Sequence, residues 1–204
     1  MERLLQGYAR FRKEAFPRRK DRFHLLAESQ SPEVLFITCS DSRVVPDLIL
    51  QSEPGELFIS RQIGNVVPPS GSPATGVTST IEYAVQVLKV KDLIVCGHSD
   101  CGAIKAVLEK QKLAGLPLAS EWLKYVESAW KYRDPSESLT DDHARLKALI
   151  HANVIAQVHN VKTHTSVSAG LAHRTLEVHG WYYDILTGDI EKYDEQSRKF
   201  VPLL

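Results

Sequence analysis

Two short stretches of the sequence decide the fold: residues 34–45, V-L-F-I-T-C-S-D-S-R-V-V, and residues 95–102, V-C-G-H-S-D-C-G. In each, a short apolar run rich in β-branched residues ends in polar side chains that can bind a metal. Buried parallel strands have this pattern where they deliver side chains to a site at one edge of a sheet. We therefore predict two buried parallel strands with a metal site at their carboxyl ends.

Three side chains in these stretches form a candidate ligand set. Cys39 follows the first strand, and His98 and Cys101 follow the second in a His-x-x-Cys spacing. Two sulfurs and one imidazole suit Zn²⁺. A structural zinc normally takes four protein ligands, whereas a catalytic zinc takes three and leaves the fourth position to water. We predict one catalytic zinc per chain, and we interpret Cys96, inside its apolar strand, as a small buried hydrophobe.

Asp41 and Arg43 lie next to this ligand set in the sequence. An Asp two residues after a ligand can reach the fourth coordination position, where it either binds the metal or accepts a hydrogen bond from the metal's water. Arg43 projects to the same side and can hold Asp41 in a bidentate pair. An ordinary surface ion pair is the alternative interpretation, but the position beside two thiolates favours a catalytic role for both residues.

The charge of the ligand set predicts the pH dependence of activity. Two thiolates and one neutral imidazole leave a Zn²⁺ centre with no net charge, so its water should be less acidic than at a site of three histidines. We expect the rate to rise toward alkaline pH. A rate that is flat between about pH 6 and pH 9 would contradict this ligand set.

Composition limits the classes of function. The chain has 204 residues with 43% hydrophobic content, enough for a single domain over residues 1–204 with an N-terminal helical arm at about residues 1–28. Its 25 basic and 25 acidic residues give no bulk attraction for nucleic acid or an anionic membrane. No apolar run approaches the roughly 20 residues that span a bilayer. Three cysteines, an odd number, fit reduced thiols or metal ligands, and we expect a cytoplasmic protein.

The order of apolar runs predicts the fold class. Strands at residues 34–38, 57–60 and 92–96 alternate with helices, which is typical of a mainly parallel α/β sheet. Residues 175–186 have strong β propensity, and a turn leads from them to residues 190–194, antiparallel to that strand. We predict a mainly parallel four-stranded sheet with an added antiparallel edge strand, flanked by helices.

The N-terminal segment is predicted to be helical and to need a partner. Residues 2–15 form an amphipathic helix with Leu4, Tyr8 and Phe11 on one stripe. Pro17 is expected to interrupt this helix, and a second short helix follows. The apolar stripe requires a surface to cover it, and a partner subunit is the surface we expect.

Several motifs together resemble those of the β-class carbonic anhydrases. The resemblance covers nearly the whole chain and implies reversible hydration of carbon dioxide to bicarbonate and a proton, with zinc-bound hydroxide as the nucleophile. It also implies intertwined dimers, or larger assemblies of dimers, with the N-terminal helix lying across the neighbouring subunit. The matching motifs are C-S-D-S-R at 39–43, E-P-G-E-L-F at 53–58, I-G-N-V-V-P-P at 63–69, I-E-Y-A-V at 81–85, G-H-S-D-C-G-A at 97–103 and H-G-W-Y-Y-D at 179–184.

The resemblance implies a role for each matching residue. It makes Cys39, His98 and Cys101 the zinc ligands, and Asp41 with Arg43 the pair that orients the hydroxide. Gln30 matches a glutamine that helps to hold the substrate in the plant-like branch; another branch has Trp there and is inhibited by bicarbonate. The residues implied to line or adjoin an apolar pocket for carbon dioxide are Phe58, Ile63, Tyr83 and the backbone of Gly102.

Gln62 departs from the family, which usually has Asn after the preceding Arg.

Three other functions are also compatible with the sequence. A hydrolase acting on carbon disulfide would keep the same zinc site. A non-catalytic, zinc-stabilised scaffold would require a closed fourth position or a lost Asp–Arg pair. A thiol redox protein would use Cys39 and Cys101, although they do not form a Cys-x-x-Cys motif.

Overall fold

A single twisted sheet organises the computed structural model, which describes residues 1–137 and 139–204. The strands are β1 (Val34–Thr38), β2 (Leu57–Arg61), β3 (Asp92–His98), β4 (Glu177–Tyr183), β5 (Ile190–Asp194) and β6 (Lys199–Pro202). Their order across the sheet is β2-β1-β3-β4-β5-β6. The first four in this order run parallel, and β5 and β6 add two antiparallel strands at one edge. This confirms the predicted α/β class.

Strand β6 was not predicted from the sequence. It has only four residues, K-F-V-P, and ends in a proline. A short run with a proline carries little strand signal, and such strands occur at sheet edges, where a missing N–H breaks no ladder. Pairing with β5, with Tyr193 opposite Phe200, supplies the tertiary contact that the local sequence does not reveal.

Helices surround the sheet, and nine are α-helical among the residues described. π-helical turns lie at Phe11–Ala15 and Ala84–Leu88. The α-helices are α1 (Glu2–Arg10), α2 (Phe16–Arg18), α3 (Lys20–Leu26), α4 (Pro46–Leu50), α5 (Gly76–Tyr83), α6 (Gly102–Leu108), α7 (Pro117–Glu127), α8 (Asp142–Lys162) and α9 (Thr165–Ala172).

The N-terminal helices break at a different residue from the one predicted. The chain stays helical through Pro17 and departs from helical geometry at Arg19, with φ −118° and ψ 16°. A π-helical turn, Phe11–Ala15, comes just before the proline. Such turns accommodate a residue that cannot complete the α-helical hydrogen-bond ladder. The expectation that Pro17 itself interrupts the helix was therefore wrong by two residues.

Helix α3 is fastened to the domain, whereas α1 presents an open apolar face. Arg19 pairs with Glu53 through two hydrogen bonds of 2.6 and 3.0 Å at the turn before β2. By contrast, none of the described residues of α1 is buried, and Leu4 and Tyr8 are each 63% exposed. Among the described residues, Leu4 and Tyr8 of the predicted apolar stripe therefore have no cover, whereas the Phe11 ring contacts the rings of Phe16 and Phe23.

The long helix α8 joins the two halves of the core. Its N-terminus is capped by the Asp141 carboxylate, which accepts a hydrogen bond from the Ala144 N–H at 2.8 Å. Leu149 packs with α6 and α7, and Val158 packs with α5, α9 and one face of β1 and β3. The helix therefore places its middle turns directly against the strands that deliver the candidate ligands.

Two glycines let α8 approach the sheet closely. A Cβ at Gly97 would lie 2.7 Å from a methyl group of Val154, and one at Gly180 would lie 3.0 Å from the other methyl group of the same valine. Well-packed interiors have little spare room, so an added Cβ at either position would push Val154 away from the sheet. Gly97 also precedes His98, so this close packing fixes the end of β3 that carries the imidazole. Across the described residues, no helix is both long enough and apolar enough to span a bilayer.

Candidate metal centre

The three predicted ligands converge at the carboxyl ends of β1 and β3. These strands pair in parallel with Thr38 opposite Cys96, so Cys39 lies beside the turn that follows β3. The Sγ atoms of Cys39 and Cys101 are 4.0 Å apart, and one donor atom from each of Cys39, His98 and Cys101 lies within 4.8 Å of the others. Their exposed fractions are 5%, 0% and 1%. A single ion could contact all three.

The orientation of His98 provides the strongest sign that a metal belongs here. Its Nδ1–H donates to the Ser99 carbonyl at 2.9 Å, which leaves Nε2 as the atom with a free lone pair. Nε2 is buried and has no hydrogen-bond partner among the described residues. An unpaired polar atom in the interior costs about 1–3 kcal/mol. A cation held jointly with the two sulfurs would remove that cost, so the residues fit Zn²⁺.

The two thiols influence one another through their short separation. The pKa of Cys39 is lowered to about 4, chiefly by its hydrogen bond with Cys101. The pKa of Cys101 shifts the opposite way, because its hydrogen bond to the Cys39 thiolate raises it. Two buried thiolates at this distance repel each other unless a cation lies between them. Burial raises the pKa of the remaining thiol, Cys96, to about 12, as expected for a cysteine that only fills space.

Asp41 and Arg43 form the predicted pair beside the ligands. Arg43 donates from Nε to Asp41 Oδ1 at 2.9 Å and from Nη2 to Oδ2 at 2.8 Å. The hydrogen bonds from Arg43 hold the pKa of Asp41 well below its usual range. Asp41 Oδ2 lies 3.9 Å from His98 Nε2. The carboxylate is therefore ionised, close to the ligand atoms, and held at both oxygens by the guanidinium.

Arg61, which the sequence analysis missed, holds the loop that carries Cys39 and Asp41. Its Nε donates to the Cys39 carbonyl at 3.1 Å, and its Nη2 donates to the Asp41 carbonyl at 2.5 Å. Arg61 ends β2, in register with Thr38 at the end of β1. A basic residue at the end of the strand next to a ligand-bearing strand is the signal that could have identified it.

A buried row of amide side chains on α8 supports the other side of the centre. Asn153 donates to the Gly64 carbonyl at 3.0 Å, and Gln157 accepts from the Val67 N–H at 2.9 Å. Gly64 in turn donates its N–H to Cys39 Sγ at 3.4 Å, a contact that favours the thiolate. These amides satisfy loop backbone groups that would otherwise be unpaired in the interior.

The predicted pocket residues fall into two groups. Ile63 and Gly102 are next to the centre, because Gly64 contacts Cys39 and Gly102 follows Cys101. Ile63 also borders an apolar cavity of about 650 Å³ that reaches Ser40. The Nε1–H of Trp122, another lining residue, donates to the Ile63 carbonyl at 3.0 Å. None of the three candidate ligands lines this cavity, and Ser40 is its link to the loop that carries Cys39 and Asp41.

Gln30, Phe58 and Tyr83 lie away from the metal centre of their own chain. Phe58 pairs in register with Leu35, four residues before Cys39, which is about 13 Å along the strand. The Tyr83 ring packs near Phe58, with ring centroids 6.0 Å apart. Gln30 is exposed and precedes the opposite end of β1. The structure therefore does not bring these three side chains to the ligands within one chain.

Gln62, the departure from the family pattern, also lies by the apolar cavity. Its Oε1 accepts a hydrogen bond from the Ser60 hydroxyl at 3.1 Å. Its Nε2 is buried and has no partner in the described part of the chain. The Gln62 side chain thus has one unpartnered donor, and it makes no hydrogen bond to the three candidate ligands within the described residues.

A thiolate–thiolate–imidazole site with a carboxylate beside it, and with no fourth ligand among the described residues, is typical of a catalytic zinc enzyme. The comparisons with known proteins narrow this class. The family model described as "Carbonic anhydrase" matches residues 34–190. The chain belongs to the carbonic anhydrase family, and its structural relatives place it among the β-carbonic anhydrases, a class of zinc enzymes.

Three relatives show how extensive the similarity is. A carbonic anhydrase of Pseudomonas aeruginosa is 47% identical over 203 residues, which cover 100% of this chain and 92% of the relative. The solved structure of the β-carbonic anhydrase CcaA has a TM-score of 0.94 and 38% identity, covering 100% of this chain and 92% of that one. A tetrameric β-carbonic anhydrase of Sordaria macrospora has a TM-score of 0.84 and 32% identity, covering 94% and 95% of the two chains.

Proposed function

We propose that the protein hydrates carbon dioxide reversibly to bicarbonate and a proton, using one zinc ion held by Cys39, His98 and Cys101. The buried, unpaired Nε2 of His98 beside two sulfurs is the observation that carries this proposal. A bound zinc ion would supply the nucleophile by lowering the pKa of water. The other residues of the site position the attacking water and form the substrate pocket.

Asp41 and Arg43 are proposed to act as one catalytic unit. The ionised Asp41 carboxylate accepts a hydrogen bond from the attacking water and so directs the oxygen lone pair toward the carbon of the substrate. Arg43 occupies both carboxylate oxygens, which keeps Asp41 from closing the fourth metal position. The reaction adds one water to one carbon dioxide, and the released proton leaves to solvent.

The substrate pocket is proposed to be shared between two copies of the chain. Ile63 and Gly102 would serve the metal centre of their own chain, as their positions next to Cys39 and Cys101 support. Gln30, Phe58 and Tyr83 would serve the centre of the neighbouring chain. The distance of Phe58 from its own centre along β2 supports this assignment, as do the packing of the Tyr83 ring near Phe58 and the 45% exposure of Tyr83.

Mixing two variants that are each expected to lose activity tests the shared pocket. One chain carries Cys39→Ser and keeps its pocket, and the other carries Tyr83→Ala and keeps its ligands. A mixed dimer then has one complete site, so a fully exchanged equal mixture should recover about a quarter of wild-type activity. If each pocket lies within one chain, the mixture will show only the average of the two separate variants.

The assembly is proposed to be a homodimer or a larger oligomer built from dimers. The uncovered apolar face of α1 supports this, as does the tetrameric relative from Sordaria macrospora. Sedimentation velocity measures the number of chains, and a monomer at micromolar concentration would contradict the proposal.

We also propose one domain over residues 1–204 with an arm at about 1–28. A cytoplasmic location is proposed as well, supported by three cysteines that are all free thiols.

Stopped-flow hydration of carbon dioxide, with zinc content measured on the same sample, tests the proposed reaction. Zinc-loaded protein should be active and chelated protein inactive, with activity returning when zinc is restored. Carbon disulfide should be compared as a substrate at equal concentration. Hydration at background rate in protein containing one zinc per chain would contradict the proposal and favour the scaffold alternative.

A further inference from the structure

Arg43 makes a second set of contacts that the Asp41–Arg43 pair does not need. Its Nη1 donates to the Asp100 Oδ2 at 3.1 Å, and its Nη2 donates to the Asp100 carbonyl at 3.1 Å. One edge of the guanidinium therefore faces Asp41 and the other faces Asp100. The planar fork of arginine fits two acceptors at fixed angles, which a lysine cannot do.

Asp100 occupies a conformation suited to this contact. It lies in the turn between β3 and α6 with φ at +55°, in the left-handed region. Asp, Asn and Gly tolerate this region better than other residues. The turn lies directly between two metal ligands, His98 and Cys101, so its backbone is held at both ends.

Lys105, on the first turns of α6, balances the charge of this arrangement. Its ammonium forms an ion pair with Asp100 Oδ1. The four side chains Asp41, Arg43, Asp100 and Lys105 together carry no net charge. Asp100 can therefore hold Arg43 without adding negative charge beside the two sulfurs, and Arg43 remains available to pair with Asp41.

We propose that Asp100 is a positioning residue, which fixes the guanidinium of Arg43 so that Arg43 holds Asp41 in its working orientation. The Arg43 side chain is 43% exposed, so solvent competes for its donors when only one anchor holds it. The hydrogen bonds to Asp100 exclude Arg43 rotamers in which the guanidinium would release Asp41. This inference rests on the proposed role of the Asp41–Arg43 pair.

Two substitutions at the same position separate the side chain from the backbone. Asp100→Gly removes the carboxylate but retains the left-handed turn, and Asp100→Asn retains an acceptor oxygen in the same turn. With zinc content unchanged, kcat for carbon dioxide hydration should fall about fivefold in the Gly variant and KM should change little. The Asn variant should recover most of the lost kcat.

A double-substitution cycle distinguishes positioning from a general structural effect. In an Arg43→Lys background, Asp100→Gly should cause no further loss, because lysine cannot bridge both acceptors. Glu121→Gln, which breaks the exposed Glu121–Lys124 pair on α7, is the matched control and should leave kcat unchanged.

The kcat and zinc content of these variants decide whether the inference holds. An unchanged kcat in Asp100→Gly would overturn the inference, and so would an equal loss in both Arg43 backgrounds. Wild-type protein that holds zinc but does not hydrate carbon dioxide would instead contradict the proposed function.

Discussion

Cys39→Ser is expected to remove the metal and reduce carbon dioxide hydration by more than about 100-fold. Cys39 supplies one of the two sulfurs in the predicted ligand set, and its Sγ lies 4.0 Å from that of Cys101. Serine is of similar size, but its hydroxyl stays protonated and binds Zn²⁺ far more weakly than a thiolate does. Metal analysis after dialysis against dilute chelator should show well under one zinc per chain.

Cys96→Ser is the matched control for this experiment. Cys96 is also buried, on the neighbouring strand, and its Sγ–H donates to the Gly97 carbonyl at 3.3 Å. A serine hydroxyl can make the same hydrogen bond, so zinc content and activity should stay near wild type. Retention of a full zinc equivalent and full turnover in Cys39→Ser would be incompatible with the ligand assignment.

Asp41→Asn is expected to retain zinc but to lose activity by about 10²- to 10³-fold. The substitution keeps the size and one acceptor oxygen of the side chain. It removes the negative charge that orients the attacking water, and it replaces one acceptor of the bidentate Arg43 contact with a donor. Stopped-flow kinetics on protein of measured zinc content would show a lower kcat at an unchanged metal ratio.

Asp47→Asn is the control for the Asp41 experiment. Asp47 is exposed on α4, near the centre in sequence, and accepts a hydrogen bond from the Ser52 hydroxyl at 3.0 Å. Its substitution should leave kcat unchanged. An Asp41→Asn variant with wild-type kcat would show that the ligands alone suffice and that the carboxylate has no part in catalysis.

The sequence was informative where local pattern and chemistry agree. The apolar runs at β1 and β3 are buried on both faces, so their strand character is visible without knowledge of their neighbours. The polar residues that follow them are at strand ends, where parallel topology brings them together. This is why Cys39, His98 and Cys101 could be proposed together from residues far apart in the chain.

The contacts that support the centre could not be predicted in the same way. Arg61 reaches the Cys39 and Asp41 carbonyls only because β2 is next to β1. In the sequence, Asn153 and Gln157 look like ordinary polar residues on a helix. Their hydrogen bonds to the backbone of residues 64–67 follow only from the packing of α8 against that loop. Such contacts depend on strand order and helix placement, which local sequence does not encode.

Zinc K-edge X-ray absorption at alkaline pH tests the central claim most directly, namely that two sulfurs and one imidazole hold the metal while its fourth position stays open. The predicted spectrum has two sulfur atoms at about 2.3 Å and one imidazole nitrogen with one further light atom at about 2.0–2.1 Å. It should be the same in wild type and in Asp41→Asn. A spectrum without two sulfurs would contradict the ligand set, and a light-atom shell lost in Asp41→Asn would place that carboxylate on the metal and close the position that the proposed reaction requires.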